Sequence, residues 1–282
     1  MTPMRRNPTR TRRAFVGLLA LLAAALLGAG AACANDADSV QVEDLTWTEL
    51  RDALAAGRST LIIPVGGVEQ NGPHMALGKH NLRAHALAAR IAARLGNALV
   101  APVVGYVPEG RISPPTEHMR FPGTISVPED AFKAVIDATA RSYRQHGFRD
   151  IVIVGDSGNY QAALKAVADR LNRDWAGSPA RAHYVGAYYD TVQGAYVKAL
   201  HDRGLSDAQI GTHAAVADTS LLMALVPGAV RPERFDLAAR EGRALGVQGD
   251  PRAASAALGQ LGVDLIVTRS VDAIRAAVAA PR

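Results

Sequence analysis

The amino-acid sequence predicts an α/β protein: a three-layer fold with a mostly parallel central sheet and helices on both faces. Continuous apolar runs such as STLIIPVGG (59–67) and RDIVIVGDSGN (149–159) alternate with longer amphipathic stretches. Continuous apolar runs are typical of strands that are buried on both faces. The links between the segments are short, which favours parallel strands joined by helices that pack on either side of the sheet.

The remaining elements follow from residue spacing and stop signals. A short helix is predicted over 46–56, where Trp47, Leu50 and Leu54 share one side. Gly96 and Gly147 each follow a stretch with helical spacing and predict where those helices end. Further strands are predicted over 97–107 and 181–190. Further helices are predicted over 81–96, 128–148, 160–175, part of 208–228, and 261–280.

Residues 1–34 have the order of an export signal: an arginine-rich start, an apolar stretch, and small residues up to Ala34. The pair Arg12-Arg13, followed by Ala-Phe-Val, favours the twin-arginine type, and an ordinary secretory leader is the alternative. We expect cleavage after Ala34, a single domain over 35–282, and a periplasmic or secreted protein. The sequence GAAC at 30–33 leaves a lipid anchor at Cys33 as a second possibility.

This leader accounts for the basic charge of the chain. The formal net charge of +5 comes from 31 Lys and Arg against 26 Asp and Glu, and five of the arginines precede residue 35. The rest of the chain is near neutral, so neither nucleic-acid binding nor a membrane span is expected. Cys33 is the single cysteine, so we expect a domain stabilised by core packing without an internal disulfide.

Polar side chains follow two of the predicted strands at their carboxyl ends, where parallel sheets gather their binding groups. Glu69 follows the strand 59–67, with His80 before the next helix, and Asp156 lies at the end of the IVIV run. Two carboxylates and one imidazole suit one divalent ion such as Zn, Mn or Fe. The alternative is structural, with Glu69 and Asp156 as helix caps and His80 as a surface residue.

Four segments resemble the creatininase (creatinine amidohydrolase) family in the same order. PVGGVEQNGPHMALGKH (64–80) is similar to the family pattern Pro-Val-Gly-Ser-x-Glu-Gln-His-Gly-Pro-His-Leu-Pro-Leu-x-Thr-Asp. HMRFPGTISV (118–127), HGFRDIVIVGDSGN (146–159) and THAAVADTSLLMAL (212–225) resemble three further family blocks. The resemblance implies a hydrolase of C–N bonds in cyclic or other amides, with two divalent metals and a hexameric assembly.

The metal ligands that the resemblance implies are mostly replaced. Glu69 is retained, but Asn71 stands at a family histidine, His80 at the bridging aspartate, and Asp156 at the loop histidine. An imidazole cannot bridge two ions as a carboxylate does, so we expect the two-metal site to be lost. Because the changes at 80 and 156 are reciprocal, we predict a one-metal shell of Glu69, His80 and Asp156, with Asn71 as a weak ligand or a water-orienting group.

His213 matches the family histidine that serves as general acid/base, and Asp218 replaces the nearby glutamate. The resemblance therefore implies that His213 shuttles protons during amide hydrolysis, whereas a structural histidine at a helix start is the alternative. Five further residues are expected to organise the loops or to face the substrate: Asn71, His74, His118, Ser157 and Asn159.

We therefore predict an exported amidohydrolase that binds one divalent ion and a small-molecule substrate, and that assembles as a homo-oligomer. Two alternatives stay open. One is a periplasmic small-molecule binding or scaffold protein on the same fold. The other is a serine hydrolase in which Ser157 of the GDSGN segment is the nucleophile, His213 the base, and Asp218 the group behind it.

Overall fold

Four parallel strands form the central sheet, in the order β2-β1-β3-β4. This computed structural model describes residues 39–281, so the predicted export signal and Cys33 lie outside the described residues. The register pairs Thr60 with Asp150 and Val65 with Gly155, which brings the carboxyl ends of β1 and β3 to the same edge. The strands are β1 (Thr60–Val65), β2 (Ala98–Val100), β3 (Asp150–Gly155) and β4 (Arg181–Tyr184).

Helices follow each strand and pack on the sheet. A π-helical segment, Val192–Tyr196, joins the fifth and sixth of them. The helices are α1 (Trp47–Ala55), α2 (Lys79–Leu95), α3 (Glu129–Gln145), α4 (Gln161–Asp174), α5 (Ala187–Thr191), α6 (Val197–His201), α7 (Asp207–Ile210), α8 (Val216–Leu225), α9 (Phe235–Glu241) and α10 (Ala256–Ala279).

Local chemistry sets the ends of these helices. Thr46 forms a capping box with Glu49 at the start of α1, where the Glu49 carboxylate accepts the Thr46 backbone N–H at 2.7 Å. α2 ends at Gly96, whose φ of +84° lies in the left-handed region that favours glycine. The predicted helices over 46–56 and 81–96 are thus found within two residues of their expected ends.

The core has two layers, one on each face of the sheet. Leu61 and Ile63 of β1 pack in a cluster with Phe132 of α3, whereas Ile62 packs in a second cluster with Ile91 of α2. Alternate residues of one strand point to opposite faces, so both faces of β1 are covered. This arrangement confirms the predicted fold class of a parallel sheet between two layers of helices.

Two predicted strands are shorter than expected. β2 ends at Val100, before a loop with Pro102 and Gly105 in which Val104 forms only an isolated bridge. β4 ends at Tyr184, and the aromatic stretch that follows is the helix α5. Aromatic residues favour strands, but Tyr188 is fully buried on α5 and donates its hydroxyl to Asp156 at 2.8 Å. Tertiary contacts override the local preference here.

The long apolar helix α10 lies against α8, α5 and α2. Within residues 39–281, no helix combines the length and apolar character that crossing a bilayer requires.

Candidate functional site

The ends of β1 and β3 bring the three predicted metal ligands into contact. The backbone N–H of Asp156 donates to Val65 at 3.0 Å, so the two strand ends are joined at this point. His80, near the start of α2, lies between the two carboxylates. Its Nε2 is 2.8 Å from Glu69 Oε1 and its Nδ1 is 2.6 Å from Asp156 Oδ2. All three side chains are buried.

This arrangement differs from the predicted metal shell. The two carboxylates approach opposite nitrogens of the His80 ring, so the ring separates them and one ion cannot take ligands from both. Separations of 2.6 and 2.8 Å are those of charge-assisted hydrogen bonds. Both ring nitrogens therefore carry hydrogen, and His80 is a cation that links Glu69 to Asp156. The prediction that Glu69, His80 and Asp156 lie together is met. The group between the two carboxylates, however, is the His80 imidazolium and not a metal ion.

Two further cations, absent from the prediction, complete this network. Lys79 Nζ lies 3.3 Å from Glu69 Oε1 and 3.3 Å from Asp218 Oδ2. Arg83 Nε is 3.0 Å from Asp156 Oδ2, and Arg83 Nη1 is 2.6 Å from Asp218 Oδ1. The sequence holds a signal for them: two basic residues stand in the first turn of α2, a third directly follows it, and the first turn contains no acid. Positive charge at a helix N-terminus is destabilised by the helix dipole. Nearby carboxylates are therefore expected to compensate it.

The network shifts the proton affinities of its members. Burial alone would lower the pKa of His80, and Lys79 lowers it further, but the two carboxylates outweigh both and raise it. Burial would raise the pKa of Glu69, yet His80 and Lys79 hold it well below its usual range. Asp218 is half-buried, which would raise its pKa, but Lys79 and Arg83 hold that pKa well below normal. The network is therefore charged at neutral pH.

A second group around Glu69 has the spacing of a metal site. Glu69 Oε2 is 3.4 Å from His118 Nε2, and Glu69 Oε1 is 3.7 Å from His213 Nδ1. Of the described residues, these three form the group whose ligand atoms lie within 4.8 Å of one another. Such separations are long for hydrogen bonds, but ligands of one tetrahedral ion with bonds of about 2.1 Å lie about 3.4 Å apart. The residues present thus fit one ion, although not the predicted set.

Both histidines of this group are held neutral. Burial lowers the pKa of His213 to about 4, and the charge of Lys79 adds to the effect. Burial is also the main cause that lowers the pKa of His118, against the opposing pull of Glu69. A metal ligand must offer an unprotonated nitrogen, and each neutral ring has one such nitrogen near pH 7.

Gln70 orients the two rings. Its Oε1 accepts the Gly72 N–H at 3.0 Å and its Nε2 donates to the Gly246 carbonyl at 3.0 Å, which defines the direction of the amide. Nε2 also lies 3.1 Å from His118 Nδ1, which must accept. His213 Nε2 lies 3.0 Å from the backbone carbonyl oxygen of Gln70 and donates to it. Nδ1 of His213 therefore presents a lone pair to Glu69, whereas His118 presents its Nε2–H and needs the other tautomer to bind an ion.

The predicted catalytic pair does not form a hydrogen-bonded unit. His213 faces Gln70 and Glu69, whereas Asp218 accepts from Arg83 and from the Ala214 backbone N–H at 2.9 Å. Ser157 starts the short helical turn before α4 as its N-cap residue. A serine triad needs the base on the nucleophile and an acid behind the base, so this geometry gives the serine-hydrolase alternative no support.

Asn71 and His74 organise the loop between β1 and α2. The Asn71 side chain donates to the Glu69 carbonyl at 2.9 Å and is fully buried. His74 Nε2 lies 3.1 Å from Thr219 Oγ1, and its ring meets Phe235 edge-on at 5.5 Å. Burial lowers the pKa of His74 to about 4. Both side chains thus make buried contacts that tie this loop to its surroundings.

Glu109 is a buried carboxyl group that the sequence did not single out. Asn159 donates its side-chain N–H to Glu109 Oε2 at 2.9 Å. Burial, and then the charge of Glu69, raise the pKa of Glu109 to about 8. Glu109 therefore holds a proton at neutral pH and keeps a second negative charge away from Glu69.

Replacing Glu109 with Gln should stabilise the protein increasingly as the pH rises. The unfolded chain ionises at a pKa of about 4.3, whereas folded Glu109 keeps its proton to about pH 8. Between these values the native state binds the extra proton, so wild-type stability falls as pH rises. Urea denaturation at pH 6 and pH 9 measures the change, with exposed Glu233→Gln as control. A Glu109→Gln difference that does not vary with pH would contradict this assignment.

The charged groups border a cavity of about 270 Å³. The uncharged part of its wall includes the two neutral histidines together with Ser157, Gly158, Asn159, Tyr189, Gln193, Thr212 and Gln248. Because three cations and three carboxylates pair within the network, the cavity presents polar groups with little net charge. It is suited to a small neutral molecule with hydrogen-bonding groups.

Comparison with known proteins places this site in context. The family model described as creatinine amidohydrolase, Creatininase, matches residues 43–274. The chain is 31% identical over 258 residues to creatinine amidohydrolase of Pseudomonas putida, covering 84% of this chain and 96% of that protein. It is 34% identical over 113 residues to the mycofactocin precursor peptide peptidase of Mycolicibacterium smegmatis, covering 38% and 43% of the two chains.

Solved structures agree with the sequence relatives. A crystal structure of creatinine amidohydrolase superposes with a TM-score of 0.71 at 27% identity, covering 86% of this chain and all of that one. A mutant creatininase of the Zn–Zn type has a TM-score of 0.70 at 28% identity, with 86% and 99% of the two chains covered. Another similar structure is described as creatininase Mn.

Proposed function

Because the chain belongs to the creatininase family, we propose that it is an amidohydrolase that uses one divalent metal ion to cleave a C–N bond of a small cyclic or other amide. The observation that supports the single ion is the clustering of Glu69, His118 and His213, whose ligand atoms lie within 4.8 Å of one another. Zinc and manganese are the first candidates, since similar creatininases are described with them. Iron also suits two imidazoles and one carboxylate.

Each part of the site has a separate task in this proposal. Glu69, His118 and His213 would hold the ion, and a bound ion would act as a Lewis acid towards the amide carbonyl. The Nε2–H of His213 donates to the Gln70 carbonyl and orients the ring, as outer-shell partners of metal ligands do. The network of Lys79, His80, Arg83, Asp156 and Asp218 positions Glu69.

The shape and charge of the cavity support a neutral substrate. A space of about 270 Å³ suits a small metabolite rather than a folded protein, and Asn159 and Tyr189 offer hydrogen-bonding groups at its wall. Creatinine, the substrate named for the relative from Pseudomonas putida, is one candidate. The different network around His80 leads us to expect another small amide to be turned over better.

Substrate profiling with and without metal tests this function. Protein stripped with a chelator is assayed against cyclic amides, acyclic amides and lactones, before and after addition of Zn, Mn or Fe. We expect hydrolysis of at least one amide that disappears on stripping and returns with about one equivalent of metal. Tight binding of a small molecule without turnover would instead favour the binding-protein alternative. Fluorophosphonate labelling that is lost in Ser157→Ala would favour the serine hydrolase.

We also propose that the domain is exported to the periplasm or secreted as a homo-oligomer. The leader pattern in residues 1–34 supports export, and the family resemblance supports a hexamer. Cell fractionation and the intact mass of the mature chain check export, and the molar mass of the native protein by light scattering checks the assembly. Cleavage after Ala34 gives a chain that begins at Asn35, whereas lipidation gives a chain that begins at a modified Cys33.

A further inference from the structure

Three side-chain cations and three carboxylates form one closed network at the site. Glu69 contacts His80 and Lys79, Asp156 contacts His80 and Arg83, and Asp218 contacts Lys79 and Arg83. Each carboxylate thus has two cationic partners and each cation has two carboxylate partners. The side chain of Asp218 is 16% exposed, and the other five are at most 7% exposed, so water does not compensate these charges.

One cation of this network, His80, stands where the family resemblance implies a metal-bridging carboxylate. His80 occupies the position at which the family resemblance puts the carboxylate that bridges two ions, and a structural neighbour is described as Zn–Zn type. In this chain the His80 ring itself joins Glu69 to Asp156, at 2.8 and 2.6 Å. An imidazolium with both nitrogens donating has no lone pair for a metal.

We infer that Lys79, His80 and Arg83 replace the second divalent ion of the two-metal relatives, so that this protein binds at most one ion per chain. The inference deepens the proposed function. It rests on that function only for the existence of the first ion, at Glu69, His118 and His213. A second ion between Glu69 and Asp156 would have to displace a hydrogen-bonded ring and lie among three buried positive charges. Repulsion between like charges is strong in a buried site, where solvent screening is weak.

The network also has a structural consequence for the first ion. Glu69 belongs to both groups: Oε1 faces His80 and Lys79 as well as His213, and Oε2 faces His118. The cations therefore orient the carboxylate that the single-ion site uses. Lys79, His80 and Arg83 act as positioning residues, because they contact Glu69 or its partners and not the proposed ion.

Metal counting tests the inference. Purified protein is loaded with excess Zn or Mn, desalted, and analysed for metal per chain. We expect one ion or fewer in the wild type, and two ions per chain would overturn the inference. A wild type with no ion would contradict the proposed metal-dependent function but not the replacement of the second ion, so the two failures are distinguishable.

A pair of variants on one helix sharpens the test. His80→Asp removes the imidazolium and adds a carboxylate, so we expect the metal content to rise by about one ion per chain. His85→Asp makes the same change at an exposed position of α2 and should leave the metal content unchanged. Circular dichroism identifies folded protein. Folded His80→Asp with wild-type metal content would overturn the inference, and if this variant does not fold, the wild-type count decides.

Discussion

Replacing Arg83 with Met should lower the free energy of unfolding by about 3–5 kcal/mol, the range for breaking a buried ion pair from one side. Arg83 is 1% exposed, and its guanidinium contacts Asp156 and Asp218 at 3.0 and 2.6 Å. Met fills a similar volume but offers no charge, so two buried carboxylates lose a partner. Lys79 and His80 still compensate them in part, and this keeps the loss within that range.

Urea denaturation at pH 7.5 measures this loss, with Arg90→Met as the matched control. Arg90 lies two turns further along α2 and is exposed, so its replacement should change stability by no more than about 0.5 kcal/mol. The Arg83→Met deficit should shrink as pH falls, because a carboxyl group that has lost its cation can take up a proton. If Arg83→Met were as stable as Arg90→Met, the buried network would not have the role described above.

Replacing either His118 or His213 with Asn should remove metal binding and lower kcat/KM at least 100-fold. Changing an outer-shell partner of a metal ligand already costs 10–100-fold, so loss of a ligand should cost more. Both rings face Glu69, at 3.4 and 3.7 Å, so the two variants should behave alike. Metal affinity by calorimetry and turnover of the amide found by profiling are the two measurements.

Measuring metal affinity and turnover together distinguishes two roles for His213. As a metal ligand, His213 is needed for both binding and turnover. As the proton shuttle implied by the family resemblance, it is needed for turnover alone. A His213→Asn protein that binds metal like the wild type but does not turn over would therefore restore the acid/base role. His85→Asn, at an exposed position on α2, should change neither quantity.

Much of the architecture could be predicted because its signals are local. The alternation of apolar runs and amphipathic stretches predicted the parallel sheet and the positions of most helices. The motifs around Glu69, His118, Asp156 and His213 indicated the family, which the comparisons confirm. The rule that binding groups gather at the carboxyl ends of parallel strands correctly brought Glu69 and Asp156 to one place.

Local sequence patterns predicted the secondary structure less well where contacts between distant parts of the chain decide the backbone conformation. The aromatic stretch after Tyr184 has the composition of a strand, yet α5 begins at Ala187. The hydrogen bond from the Tyr188 hydroxyl to Asp156 belongs to the tertiary structure and has no counterpart in the neighbouring sequence.

The sequence by itself determined the fold class, the family, and the polar residues that meet at the sheet edge, because periodicity and motifs are properties of neighbouring residues. Only the tertiary structure decided how those residues pair. His80 became a cation between two carboxylates, and Gln70 came within 3.1 Å of His213 across 143 residues of chain. The physical reason is that a charge or a lone pair is assigned by the groups within a few ångströms, and folding brings those groups from distant parts of the chain.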